Sequence, residues 1–356
     1  MKKIIGNTLT IADACRHGRR CINALGGVFA KQKLLVAIAA GMLLLSTCFS
    51  PWAGNGNLTI TWGGGRTVND PSQLKNLDYT VTLKGPSGTI QENFSQGITR
   101  ASFNVIPGIW TLTIKGYYAG TTRLEVMGIE QIDVKPKNTF SPINIYNVEE
   151  AENWYNINIY MNVPNTLNSG RSRMVIIKND IEFTDSNNQI SVIPTLPIIL
   201  IAEKDVTISR VGDPPNDGIS NQFPSFFNVP GGGNLTLGKP GMGGTITIDN
   251  KNKYSKSLVQ VNGNLVMNKG VTIQNGYFED INTSGVETGG VHVSSTGKFT
   301  MYGGTIRNNY VPQLNTGMPA DVHGGGVYVE SGGTFIRQGG TISGNTPHDI
   351  YPPPPK

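Results

Sequence analysis

Cysteine is nearly missing from this 356-residue chain: Cys15, Cys21 and Cys48 are the only three, and all lie in the first 48 residues. Residues 49–356 can therefore form no internal disulfide. Charge is also sparse, at 15% of residues, and its basic excess is confined to one place. Lys2, Lys3, Arg16, Arg19, Arg20, Lys31 and Lys33 against Asp13 give residues 1–33 a net +6, so the rest of the chain carries −1 of the overall +5. A nucleic-acid binder needs a basic face on its folded body, and none remains. The chain has no apolar run of the ~20 residues that span a bilayer, since the longest, 34–45, stops short. Helical periodicity is absent beyond the first fifty residues.

Metal-ligand clusters are missing too. The segment Cys15-Arg-His-Gly-Arg-Arg-Cys21 offers two thiols and one imidazole, where zinc takes four ligands at tighter spacing. Glu279, Asp280, Asp213 and Asp217 are too scattered to supply the six to eight oxygens that calcium takes. The sequence thus implies neither a metal nor a cofactor.

What the chain has in quantity is glycine, 45 residues, with 21 prolines, a composition that suits turn-rich β structure. Much of the glycine lies in a repeat. Gly289-Gly-Val-His-Val-Ser-Ser-Thr-Gly-Lys-Phe-Thr-Met-Tyr-Gly-Gly-Thr-Ile-Arg-Asn-Asn309 recurs as Gly325-Gly-Val-Tyr-Val-Glu-Ser-Gly-Gly-Thr-Phe-Ile-Arg-Gln-Gly-Gly-Thr-Ile-Ser-Gly-Asn345. Each copy holds three short β-type runs separated by turn residues, which describes one turn of a coil. Looser copies begin near Phe226 and Val259.

Superposing the copies aligns Val259, Val291 and Val327; Val261, Val293 and Val329; Leu265, Phe299 and Phe335; and Ile273, Ile306 and Ile342. Such columns are what a right-handed parallel β-helix needs, because each coil lies about 4.8 Å above the last. Met301 falls on Arg337, so that position is expected to turn outward. Asn309 falls on Asn345, with Asn275 one place off. Nearly continuous apolar runs at 174–177, 181–183, 190–193, 198–201 and 206–208 read as the first coils, with Pro194 and Pro197 at a corner or an entry edge.

Ahead of the coils, alternating runs at 58–62, 79–83, 101–105, 110–114, 123–126 and 129–134 have the spacing of a β-sandwich. Trp62, Trp110 and Trp154 each lie in such an alternating pattern, which predicts burial of at least two of them in the core rather than a sugar-stacking surface. Residues 154–161 are left open between closing the sandwich and capping the solenoid. The expected organisation is a signal segment 1–48, a tether 49–56, a β-sandwich 57–148, a parallel β-helix 149–350 and a Pro-rich tail 351–356 in polyproline II over the last coil.

Three resemblances follow from these residues. Phe103-Asn-Val-Ile-Pro-Gly-Ile-Trp-Thr-Leu-Thr-Ile-Lys-Gly116 resembles carboxypeptidase-regulatory-like and Ig-like modules, which implies a spacer. The coils resemble right-handed β-helix surface proteins of spirochaetes, and Gly-Gly-Val-His and Gly-Gly-Val-Tyr resemble the repeats of chlamydial polymorphic outer-membrane proteins and other pectin-lyase-like proteins. Lys31-Gln-Lys33, the apolar run 34–45 and Leu45-Ser-Thr-Cys48 resemble a bacterial lipoprotein signal, which implies export and a lipid on Cys48 that ties the chain to a membrane. Ordinary cleaved export is the alternative.

No cutting machinery is evident. Polysaccharide-cleaving enzymes on this scaffold stack carboxylates on adjacent coils, close enough to act together. The outward columns here read Gln260, His292, Tyr328 and Asn262, Ser294, Glu330, without an acidic pair. The Asn-Thr-Asp, Asp-Asp, Gly-His-Gly and Arg-Ile-Lys motifs of pectin-cleaving hydrolases are absent. The expected function is non-catalytic: surface adhesion, assembly or glycan contact with a host or glycan ligand. A carbohydrate-active enzyme is the second reading. His292, Tyr328 and Tyr310, with the insertion 310–322, are the candidate ligand contacts, because solenoid insertions map to a binding face.

Overall fold

The computed structural model describes residues 55–63, 72–162, 172–183, 189–192, 197–212, 224–278, 288–312 and 324–352. The signal segment, the lipidation candidate Cys48, Pro194 and most of the insertion after Tyr310 lie outside the described residues. Among those described, no helix is long and apolar enough to cross a membrane.

Among the described residues the first part has eight strands: β1 (Gly56–Trp62), β2 (Leu77–Gly85), β3 (Gly88–Phe94), β4 (Arg100–Val105), β5 (Gly108–Tyr118), β6 (Leu124–Val134), β7 (Lys137–Ile143) and β8 (Tyr146–Ala151). One sheet has the order β4-β1-β7 and the other runs β3-β2-β5-β6-β8. They share a core in which Leu58, Ile60 and Trp62 of β1 meet Val81, Leu83, Trp110, Leu112 and Ile114. The inward residues alternate along β2 and β5, as the sequence pattern predicts. The runs 123–126 and 129–134 are one strand, β6. Strand β3 escaped the pattern because Gly-Thr-Ile-Gln-Glu-Asn-Phe is an exposed edge with no alternation to read.

Among the described residues the second part is a parallel β-solenoid of six coils with three strands each. The strands are β9 (Arg173–Ile177), β10 (Ile181–Phe183), β11 (Ile190–Ser191); β12 (Ile198–Ala202), β13 (Val206–Arg210), β14 (Phe227–Val229); β15 (Asn234–Leu237), β16 (Ile246–Asp249), β17 (Val259–Val261); β18 (Asn264–Met267), β19 (Val271–Gln274), β20 (Val291–Val293); β21 (Lys298–Met301), β22 (Thr305–Arg307), β23 (Val327–Val329); and β24 (Thr334–Arg337), β25 (Thr341–Ser343), β26 (Ile350–Tyr351). Every third strand pairs in parallel. The second face has the order β10-β13-β16-β19-β22-β25 and the third β11-β14-β17-β20-β23-β26.

The expected columns are present in register: Val259, Val291 and Val327; Val261, Val293 and Val329; Leu265, Phe299 and Phe335; Ile273, Ile306 and Ile342. Phe299 stacks on Phe335 with centroids 4.9 Å apart. The Met301 column does not turn outward as its sequence suggested. Met267 and Met301 are fully buried, and only Arg337, in the last described coil, reaches solvent, where it donates to the Gly340 carbonyl at 2.7 Å. The charge is tolerated there because the Arg337 side chain is exposed and keeps its water.

The two Gly-Gly signatures have separate causes. A Cβ on Gly290 would lie 2.2 Å from the Gly326 carbonyl oxygen of the next coil, so Gly-Gly-Val marks close backbone approach. Gly304 and Gly340 have φ of 89° and 79°, so Gly-Gly-Thr-Ile marks a left-handed corner.

Residues 154–161 cap the solenoid, and they do so as a helix, α1 (Trp154–Asn162), which the sequence reading missed. The side chain of Asn153 accepts the Asn156 N–H at 3.0 Å, an N-cap bond. Ile157 and Met161, one turn apart, are fully buried in the solenoid core. Trp154 packs edge-on to Phe183, which meets Phe226 in the same way. Tyr155 is the solvent-facing ring of the helix, at 63% exposure.

The two parts share a sheet. Strand β8 pairs antiparallel with β6 and parallel with β9, making eleven continuous strands from β3 to β24. The expected boundary at 148/149 falls inside β8. The connection 238–245 folds back over this joint. Met242 packs against Met127, Ile129, Met174, Ile176 and Ile201, and Lys239 donates to Glu130 at 3.1 Å. Lys115 and Lys178 both reach Glu203.

Candidate functional site

The solenoid treats its three corners differently. Between the first and second faces the connections are short, as at 178–180, 203–205, 268–270, 302–304 and 338–340; the exception is the fold-back at the joint. Between the second and third faces the four middle connections, 211–226, 250–258, 275–290 and 308–326, are long, while the first and last, 184–189 and 344–349, have six residues each. One edge therefore carries the insertions, which is the place where solenoids concentrate binding loops.

That edge is organised by a three-residue pattern, Asn252-Lys253-Tyr254, Asn275-Gly276-Tyr277 and Asn308-Asn309-Tyr310. Asn252, Asn275 and Asn308 have φ of 55°, 58° and 54°, the left-handed conformation that asparagine tolerates best after glycine. In the next coil Gly344, at 70°, takes the same place before Asn345 and Thr346. Asn275 thus corresponds to Asn308 and Gly276 to Asn309, which explains the offset of one residue in the sequence alignment.

The middle position forms a buried ladder. Gly276 N–H donates to the Asn309 side chain at 2.9 Å, and Asn309 N–H and Nδ2 donate to Asn345 Oδ1 at 3.0 and 2.9 Å. Asn345 N–H and Nδ2 end on Asp349 Oδ1 at 3.0 and 2.8 Å. Side-chain amides are suited to this, having both donors and an acceptor to hand on from coil to coil.

The third position is a tyrosine ladder. Single parallel bridges link Tyr254 to Tyr277, Tyr277 to Tyr310, and Tyr310 to Thr346. Tyr254 meets Tyr277 edge-on at 4.9 Å, and Tyr277 stacks on Tyr310 at 5.2 Å. Tyr254 is 40% and Tyr310 37% exposed. Rings that cover each other's faces offer a ligand mainly their edges, so the ladder is a ridge rather than a flat stacking platform.

On the third face, His292 and Tyr328 pair one coil apart, with ring centroids at 5.4 Å, and Tyr328 stacks on Tyr351 at 5.8 Å. They come together as expected, but each is only 8% exposed. His292 Nε2 lies 2.9 Å from Glu330 Oε1, and Glu330 Oε2 accepts the Ser295 N–H at 2.8 Å. Burial first, then the Glu330 charge, pushes the Tyr328 hydroxyl above the usual phenol range. This pair braces the face beside the exposed ridge. Tyr254 and Tyr277 were missed because insertions of unequal length hide the period; the Asn-x-Tyr spacing was the available signal.

Among the described residues no group of three His, Cys, Asp or Glu is placed to hold a metal ion. Trp62 and Trp110 are buried in the two-sheet core and Trp154, the first residue of α1, is half-buried. Arg210 is enclosed in the solenoid; its guanidinium lies 4.4 Å from the Phe226 ring, and burial lowers its pKa to about 9. Comparison of the chain with protein-family models, with curated proteins and with solved structures found no match.

Proposed function

We propose that this chain is an exported surface protein, held to a membrane through a lipid on Cys48, that makes contacts rather than breaking bonds. Adhesion, surface assembly or glycan contact is its task, and the edge carrying Tyr254, Tyr277 and Tyr310 is where a ligand meets it. The observation that supports this is the gathering of long connections and a partly exposed tyrosine ridge on one corner of an otherwise tightly turned solenoid. Tyrosine gives large contact area at low entropic cost, which is why it is enriched in binding surfaces. His292 and Tyr328 flank the ridge and hold its backing face in place.

The test is a glycan and matrix-protein binding array with the full chain and its Y277A/Y310A variant. The proposal expects a ligand that the parent retains and the variant loses. A polysaccharide panel run alongside decides the other reading: turnover of any member would make the chain a carbohydrate-active enzyme. Intact mass of the membrane-extracted protein reports the lipid on Cys48.

A further inference from the structure

Three connections meet at one end of the two-sheet region, and they meet where the chain enters it. Gly56, the first residue of β1, is paired with Val105 on one side and Lys137 on the other. A Cβ on Gly56 would lie 2.7 Å from the Lys135 carbonyl and 3.4 Å from that of Val105. Gly108, paired with Val134, lies against Pro86 of the β2–β3 turn. The Ile106-Pro107-Gly108-Ile109 turn, the 134–137 turn and the start of β1 therefore form one tip.

The tip is unusually apolar for a surface. Ile109 is 65% and Ile106 39% exposed, and Pro86 and Pro136 are exposed beside them. The turn is also held rigid, because buried Trp110 donates its indole N–H to the Ile106 carbonyl at 2.9 Å. Lys135 and Lys137 border it, and Lys135 is engaged by Asp133, leaving a net charge of about one. An apolar turn ringed by lysine stems is the makeup of a surface that dips into a bilayer interface.

We propose that Ile106 and Ile109 seat this tip in the lipid surface, with Lys137 at the headgroups. Chain geometry favours a membrane as the occupant: Cys48 precedes Gly56 by eight residues, which even fully extended reach at most about 29 Å. A membrane holding the anchor is thus within reach of this end of the fold. The inference rests on the lipid anchor only for local concentration.

The test uses the full chain in vesicles of dibrominated phosphatidylcholine, which quenches tryptophan at the depth of the bromines. Relative to the parent, Ile109→Trp is expected to lose most of its added emission, and Phe140→Trp, on the exposed flank of β7, to keep it. Quenching should persist in high salt, because little charge is involved. An unquenched Ile109→Trp, or equal quenching at both positions, would overturn the proposal. A lipidated chain on vesicles with Ile109→Trp unquenched defeats the tip and spares the anchor; quenching in a chain with no lipid on Cys48 does the reverse.

Discussion

The two parts of the molecule bury similar kinds of residue in different ways. In the two-sheet region, large unlike side chains interlock: Trp62 meets Tyr79 and Phe94 edge-on, and Trp110 fills the space left by Gly85. In the solenoid, like stacks on like, valine on valine and phenylalanine on phenylalanine, and each coil touches only its neighbours. A packed core couples all its members, whereas a stacked column couples only adjacent coils. The lesson is that a lesion should spread differently in the two parts, and that insertions disturb less in the part built from repeats.

The largest expected effect is W110A. It removes a fully buried indole and its bond to Ile106, and should cost about 3–5 kcal/mol in denaturant unfolding. Hydrogen exchange should then show protection lost throughout β1–β7 while β21–β26 keep theirs. Equal loss in both would mean that the eleven-stranded sheet makes one cooperative unit, and would erase the contrast. N309A should cost less, about 1–3 kcal/mol, by orphaning the Gly276 N–H in a buried corner and deleting the Nδ2 bond to Asn345, whose Oδ1 keeps the backbone N–H of residue 309. Its exchange should rise in the neighbouring coils and not in the two-sheet region.

Y277A should cost only about 0.5–1.5 kcal/mol of stability, the scale of an aromatic pair, because the ridge is partly exposed. A much larger loss would make the ladder a structural brace. The smallest effect concerns Glu149, on the shared strand β8. Burial holds its carboxyl above the usual value, with Arg173 and Arg123 pulling it partly back. The folded chain thus binds this proton more tightly than the unfolded one. That contribution is present below about pH 4.5, the unfolded value, and is lost as pH rises through the folded value. E149Q should accordingly gain on the parent between pH 4 and pH 7 in paired unfolding curves.

The alternation of β2 and β5 and the 36-residue echo between Gly289 and Gly325 made both parts legible before any coordinates, because periods of two and of one coil are written directly into apolar positions. Helix α1 was not legible. Its nine residues alternate as a strand would, and only the open end of the solenoid, which Ile157 and Met161 fill, selects the helix. The candidate site was half legible. Tyr310 and the His292–Tyr328 pair stood out, whereas Tyr254 and Tyr277 were hidden by unequal insertions.

By itself, then, the sequence determined the stacked columns, the glycine corners and the absence of any thiol beyond Cys48, since each of these is a property of residue type and spacing. Only the tertiary structure decided that β8 welds the two parts into one sheet, that the Met301 column points inward, that His292 and Tyr328 are buried, and that three tyrosines share a ridge. These are contacts between residues far apart in the chain, where the cost of burying a group depends on what is laid over it and not on what precedes it.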